Sequence, residues 1–169
     1  MKSNPQVKIS IGIVLGLTLA LLAFINWDIA KREAWLAKGK IVRLELAPVD
    51  PRSLMQGDYM ILNYRILADI RAAAEGENLN AYVRVKLNEQ RIGSFVALES
   101  IYQRPDAASD ETLLQVRIRS HQVKLATNGY FFQEGHGERY EAAKYGEFRV
   151  NQKGELLLDR LLDEELTPL

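Results

Sequence analysis

The stretch Gly57-Asp58-Tyr59-Met60-Ile61-Leu62-Asn63-Tyr64 is the densest chemical signal in this chain. It sets a carboxylate and two phenols directly after a glycine, ahead of a run that alternates apolar and polar residues. Side chains alternate between the two faces of a strand, so Leu62 and Tyr64 share a face with Met60, and Tyr59 points the other way. Gly57 is free to adopt a positive φ at the entrance to that strand. Asp58 can accept hydrogen bonds from nearby backbone N–H groups or pair with Arg52 or Arg65. Two readings follow: a turn and strand that set register, or a recognition edge that offers a carboxylate and phenols to a partner.

Nucleophilic chemistry finds little support. Ser53-Leu54-Met55-Gln56-Gly57-Asp58 resembles the latter part of the signal-peptidase box, S-M-x-P-S/T-L-x-x-G-D. In that alignment Val49 stands where the family has its nucleophilic serine, and valine cannot attack a carbonyl. Ser53 as a substitute nucleophile needs a lysine base, and no local spacing identifies one. The two histidines are His121 and His136. Glu134, His136 and Glu138 cluster, and imidazole with carboxylates can bind a divalent metal. One histidine between glycines reads more simply as a solvated polar loop, so no metal and no cofactor is expected. With no cysteine in the chain, disulfides and thiolate catalysis are also excluded.

The elements that carry these residues begin with an apolar run. Val7 to Trp27 reads VKISIGIVLGLTLALLAFINW, without a charge from Ile9 to Ile25. About 20 apolar residues cross a hydrocarbon core of roughly 30 Å. Lys8 can snorkel to the headgroups and Trp27 suits the far interface. A cleavable signal peptide would have a shorter apolar region and an A-x-A-like site, which Leu22 to Trp27 does not offer. The expectation is a retained anchor, residues 1–27, continued by a juxtamembrane helix over 28–40. Gly12 and Gly16 form a G-x-x-x-G spacing that favours close helix approach.

From residue 41 to 169 the pattern is that of strands. Ile41 to Leu46, Tyr59 to Ile66, Tyr82 to Leu87, Ile92 to Glu99, Leu114 to Leu125, Glu147 to Val150 and Glu155 to Leu162 read as strands, several joined as hairpins. Asn128-Gly129 is a turn signal. Leu67 to Ala74 and Glu138 to Lys144 read as short helices. The expected fold is β-rich (α+β): an N-terminal transmembrane helix, then one mainly antiparallel barrel- or sandwich-like domain. Tyr130, Phe131, Phe132, Tyr140 and Tyr145 are read as core and interface packing.

Basic and acidic residues number 22 each. A domain near neutrality without a basic block lacks the footprint of a nucleic-acid binder, so none is expected as a partner. Lys31, Arg32, Lys38, Lys40 and Arg43 after the span lean toward a cytoplasmic domain under the positive-inside rule, although large domains translocate largely regardless of charge.

The eight-residue stretch fills every fixed position of the GDYxxLxY family pattern, and the chain resembles that family. Asp50-Pro51-Arg52-Ser53-Leu54, Gly129 to Gly135, Tyr140-Glu141-Ala142-Ala143 and Tyr145-Gly146-Glu147 resemble it as well. The resemblance implies a bacterial inner-membrane protein of uncharacterised function, single-pass, with its domain on the periplasmic side. It also implies association with a multi-spanning membrane protein, and it assigns no catalytic residue. The expectation is a membrane-anchored interaction or accessory subunit; the alternative is an envelope hydrolase related to signal-peptidase-like β folds.

Overall fold

The computed structural model describes residues 5–47, 55–56 and 59–169. It divides into two compact units, Met1–Ala37 and Lys38–Leu169.

In the first unit the apolar run and the stretch after it form one helix, α1 (Pro5–Lys38). There is no break at Trp27: Asp28 and Arg32 pair at 2.9 Å one turn apart, which suits continued helix. Lys38 ends it beside Gly39, where a cation complements the carbonyl end. The window from Ser10 is long and apolar enough to cross a membrane, and none of it is buried.

The described residues of the second unit form antiparallel strands in three sheets rather than the closed barrel that was one expectation. The first sheet orders β1 (Lys40–Glu45), β9 (Tyr145–Val150) and β10 (Leu156–Leu162). The second orders β2 (Met55–Gln56), β3 (Tyr59–Ile61) and β8 (Gly129–Phe131). The third orders β5 (Gly93–Ser100), β4 (Asn80–Leu87), β6 (Glu111–Arg119) and β7 (Gln122–Lys124). Among the described residues two helices join them: α2 (Ile66–Ala73) and the single turn α3 (Gly137–Tyr140). Isolated bridges stitch the sheets, Arg43 to Ile92 and Leu46 to Tyr64. These contacts bring the sheets around one core without a continuous ladder.

That core takes Val42 and Leu44 from β1, Val83 and Val85 from β4, Val116 and Ile118 from β6, Phe148 from β9 and Ile70 from α2. Their spacing is the period of two that a half-buried strand requires. Gly146 makes room in it: a Cβ there would lie 3.0 Å from the Phe148 ring, two residues along the same face.

Several boundaries differ from the sequence reading, among them the helix expected over 138–144, which is the single turn α3. The expected strand over 114–125 is a hairpin, β6 and β7, turned at Ser120 and His121 with φ of 48° and 67°. Two successive left-handed residues match a type I′ turn, and neither is the usual Asn or Gly. Asn128-Gly129 does not close a hairpin: Gly129 opens β8, and the preceding residues carry the chain from the third sheet to the second. The strand expected over 59–66 leaves its ladder after Ile61, because the chain exchanges β8 for the end of β1 as its partner. Ile66 then starts α2 and is buried there, so the apolar pattern is satisfied in either period.

On the outer face of the third sheet, Arg84 bonds Glu99 at 2.9 Å and Glu111 at 2.7 Å. The hydrogen bond from Arg84 holds the Glu111 carboxyl below its usual range. A carboxylate with a depressed folded pKa stabilises above its unfolded value and loses that contribution as pH falls.

Candidate functional site

The motif strand acts as a crossbar between the sheets. Met60, Leu62 and Tyr64 point inward and are almost fully buried, as the alternation requires. β3 pairs with β8, Tyr59 opposite Phe131 and Met60 opposite Tyr130. Leu62 N–H then donates to the Asn128 carbonyl at 2.8 Å. Immediately afterwards the strand engages the end of β1: Ala47 N–H donates to the Asn63 carbonyl at 2.7 Å, and Arg65 N–H to the Glu45 carbonyl at 2.9 Å. Within a few residues the backbone is bonded to two separate sheets.

Tyr64 locks this junction with its side chain. Its hydroxyl donates to the Thr127 carbonyl at 2.7 Å, and its ring meets Phe148 of β9 edge-on with centroids 5.6 Å apart. Burial pushes the phenol well above its ordinary pKa, since the phenolate would be stranded without water. A phenol held in this way is a packing and hydrogen-bonding group rather than an acid or base at neutral pH. Arg65, a sequence candidate for pairing with Asp58, has its guanidinium 3.1 Å from the Glu45 carboxylate. Gly57 and Asp58, together with Val49, Arg52 and Ser53, lie outside the described residues.

The opposite face of the same strand is different. Tyr59 is half-buried and its ring lies 5.7 Å from that of Phe131. Ile61 is 47% exposed and Phe131 78% exposed. The motif therefore divides its residues: Leu62 and Tyr64 hold the sheets together, and Tyr59 belongs to an apolar patch facing outward. Of the sequence reading of core and interface packing, Phe131 departs from the core part, and the pattern gave no means of telling it from its neighbour Phe132. Phe132 and Tyr130 flank Tyr140, each with centroids 5.1 Å from its ring.

The Glu134-His136-Glu138 loop brings no such set together. All three residues are exposed, Gly135 turns the loop with φ of 82°, and His136 precedes α3 without a side-chain cap bond. Among the described residues no group of three or more His, Asp or Glu side chains is placed to hold a metal ion.

The block Tyr145-Gly146-Glu147 also has a structural explanation. Glu147, 5% exposed, receives Arg43 at 2.8 Å on one carboxylate oxygen and Arg160 at 3.6 Å on the other. The three residues form one cross-strand row over β1, β9 and β10. A buried carboxylate needs such pairing to offset its desolvation.

Searches of curated proteins and of solved structures gave no match. The family model described as "GDYXXLXY protein" matches residues 21–161, from within α1 to the last strand. Its name is the motif whose described residues, Tyr59, Leu62 and Tyr64, form the crossbar. Covering most of the chain, that match shows that the protein belongs to the GDYXXLXY family.

Proposed function

We propose that this protein is a single-pass, membrane-anchored accessory subunit whose non-catalytic domain docks on a multi-spanning membrane protein. α1 serves as a retained anchor in the bacterial inner membrane, with the domain on the periplasmic side. The observation that carries the reading is the division of the motif strand. Its inward residues are occupied in holding sheets together, and its outward residues, Tyr59 and Ile61 with Phe131, leave an aromatic and aliphatic patch exposed. Interface cores are enriched in such side chains, and a rigid strand presents them at low entropic cost. The hydrolase alternative would draw on Ser53 or the Glu134-His136-Glu138 loop, and no described geometry favours it.

The test is purification of the full chain from native membranes in mild detergent. A multi-spanning protein is expected in constant ratio with it. The pair Ile61→Asp and Phe131→Asp should abolish that association while leaving the melting temperature unchanged, since both side chains are exposed in the isolated chain. Ser53→Ala should leave it intact. Undiminished association of the Ile61→Asp/Phe131→Asp variant would exclude this face. A C-terminal alkaline phosphatase fusion should be active; an inactive fusion alongside an active cytoplasmic reporter would reverse the topology.

A further inference from the structure

The outer face of the third sheet segregates its charges. Toward one end two strand cations have carboxylates: Arg84 has Glu99 and Glu111, and Lys86 has Asp110 at 3.7 Å. At the other end the strand cations have none among the described residues. Arg117 on β6 lies directly opposite Lys124 on β7, and both are exposed, with no carboxylate of the described residues within ion-pair distance. Arg119, on the same face of β6, bonds two neutral groups, the Asn80 side-chain oxygen at 2.9 Å and its neighbour's carbonyl. Like charges directly opposite across strands are destabilising. Acidic residues are as numerous as basic ones in this chain, so the lack of them here is local.

Arg117 and Lys124 line an open groove of about 480 Å³ together with Asn80, Gln115, Leu125 and Ala126. Asn80, Arg117 and Lys124 stand in one cross-strand row, and Gln115 is two residues before Arg117 on the same face. The Asn80 oxygen is already occupied by Arg119, which leaves its amide N–H groups as the available polar function. The groove thus gathers a guanidinium, an ammonium and carboxamide donors.

We propose that this groove binds a phosphate-class oxyanion, with Arg117 and Lys124 holding it from adjacent strands and Asn80 and Gln115 donating further hydrogen bonds. A guanidinium offers two parallel N–H donors to neighbouring phosphate oxygens, and an ammonium adds a point charge. The groove is larger than one phosphate, so a diphosphate or a phosphodiester headgroup fits the same chemistry. This site is on a different sheet from the Tyr59–Phe131 patch and does not depend on the docking function proposed above.

The experiment uses the full chain in neutral detergent, titrated calorimetrically with inorganic phosphate and with pyrophosphate. In parallel, the chain is placed in nanodiscs of phosphatidylcholine with or without phosphatidylglycerol, and amide exchange is followed over residues 113–125. Arg117→Gln/Lys124→Gln should weaken the response about tenfold or more, because two charge-assisted contacts are lost. Lys86→Gln, on the same sheet but at the paired end, should leave it unchanged. Both substitutions are on exposed side chains, and unchanged melting temperatures would separate lost binding from lost fold. Binding of the soluble anions assigns the groove to a free phosphate compound; protection by phosphatidylglycerol alone assigns it to a lipid headgroup. No response to any of these probes, or an equal response in the Arg117→Gln/Lys124→Gln variant, overturns the proposal.

Discussion

Tyr64→Ala should destabilise the domain by about 3–5 kcal/mol, the range for removing a large buried ring. Tyr64 is 3% exposed, packs on Phe148 and bonds the Thr127 carbonyl, so truncation both opens a cavity and leaves an acceptor unpaired. Tyr64→Phe keeps the ring and should cost only about 1 kcal/mol, the net value of one hydrogen bond. The two variants can be compared by urea unfolding of the protein in neutral detergent. The sign of the pH effect is also determined. The folded phenol has a raised pKa, so its contribution is complete below the unfolded value near pH ~10 and is lost as pH rises above it. Tyr64→Phe should lack that alkaline loss. A loss of the same size in wild type and Tyr64→Phe would assign it to another group.

Gly154→Ala should cost about 2–4 kcal/mol, combining left-handed strain with a backbone collision. Gly154 has φ of 84°, and a Cβ there would lie 2.7 Å from the Leu113 carbonyl oxygen. The collision arises because the turn between β9 and β10 is pressed against β6: the Gln115 N–H donates to the Gly154 carbonyl at 2.7 Å. This contact joins the first sheet to the third. Gly135 supplies the control, since its φ is 82° but nothing lies within 4 Å of its would-be Cβ. Gly135→Ala should therefore show the conformational cost alone, about 1 kcal/mol. Equal losses at the two glycines would mean that the sheet contact at Gly154 contributes nothing.

What the sequence revealed, and what it concealed, follows from the range of each interaction. The inward set Met60, Leu62 and Tyr64 was legible because a period of two is a local property of the chain. The hairpin of β4 and β5 was legible because polar residues separate two alternating runs. The hairpin of β6 and β7 was not, because Ser120-His121 makes its turn without the Gly or Asn that usually marks one. With that turn hidden, Arg117 and Lys124 read as distant residues on one strand instead of an opposed pair. Asn128-Gly129 misled in the opposite sense, a turn dipeptide placed where the chain passes between sheets. The three sheets depend on long-range choices of partner, such as β1 beside β9, that no window of sequence contains. In the run Tyr130-Phe131-Phe132, exposure of the middle ring was decided by which face of β8 meets Tyr140, again a tertiary fact.

The role of the motif strand as a crossbar is tested most directly by amide hydrogen exchange at Ala47, Leu62 and Arg65, whose N–H groups tie it to two sheets. If the crossbar holds the sheets together, these three amides exchange only through global unfolding. Their protection should then fall together in Tyr64→Phe, by the amount that the whole domain loses. If instead the three exchange by separate local openings, unaffected by Tyr64→Phe, the strand is an appendage to the sheets and the account is contradicted.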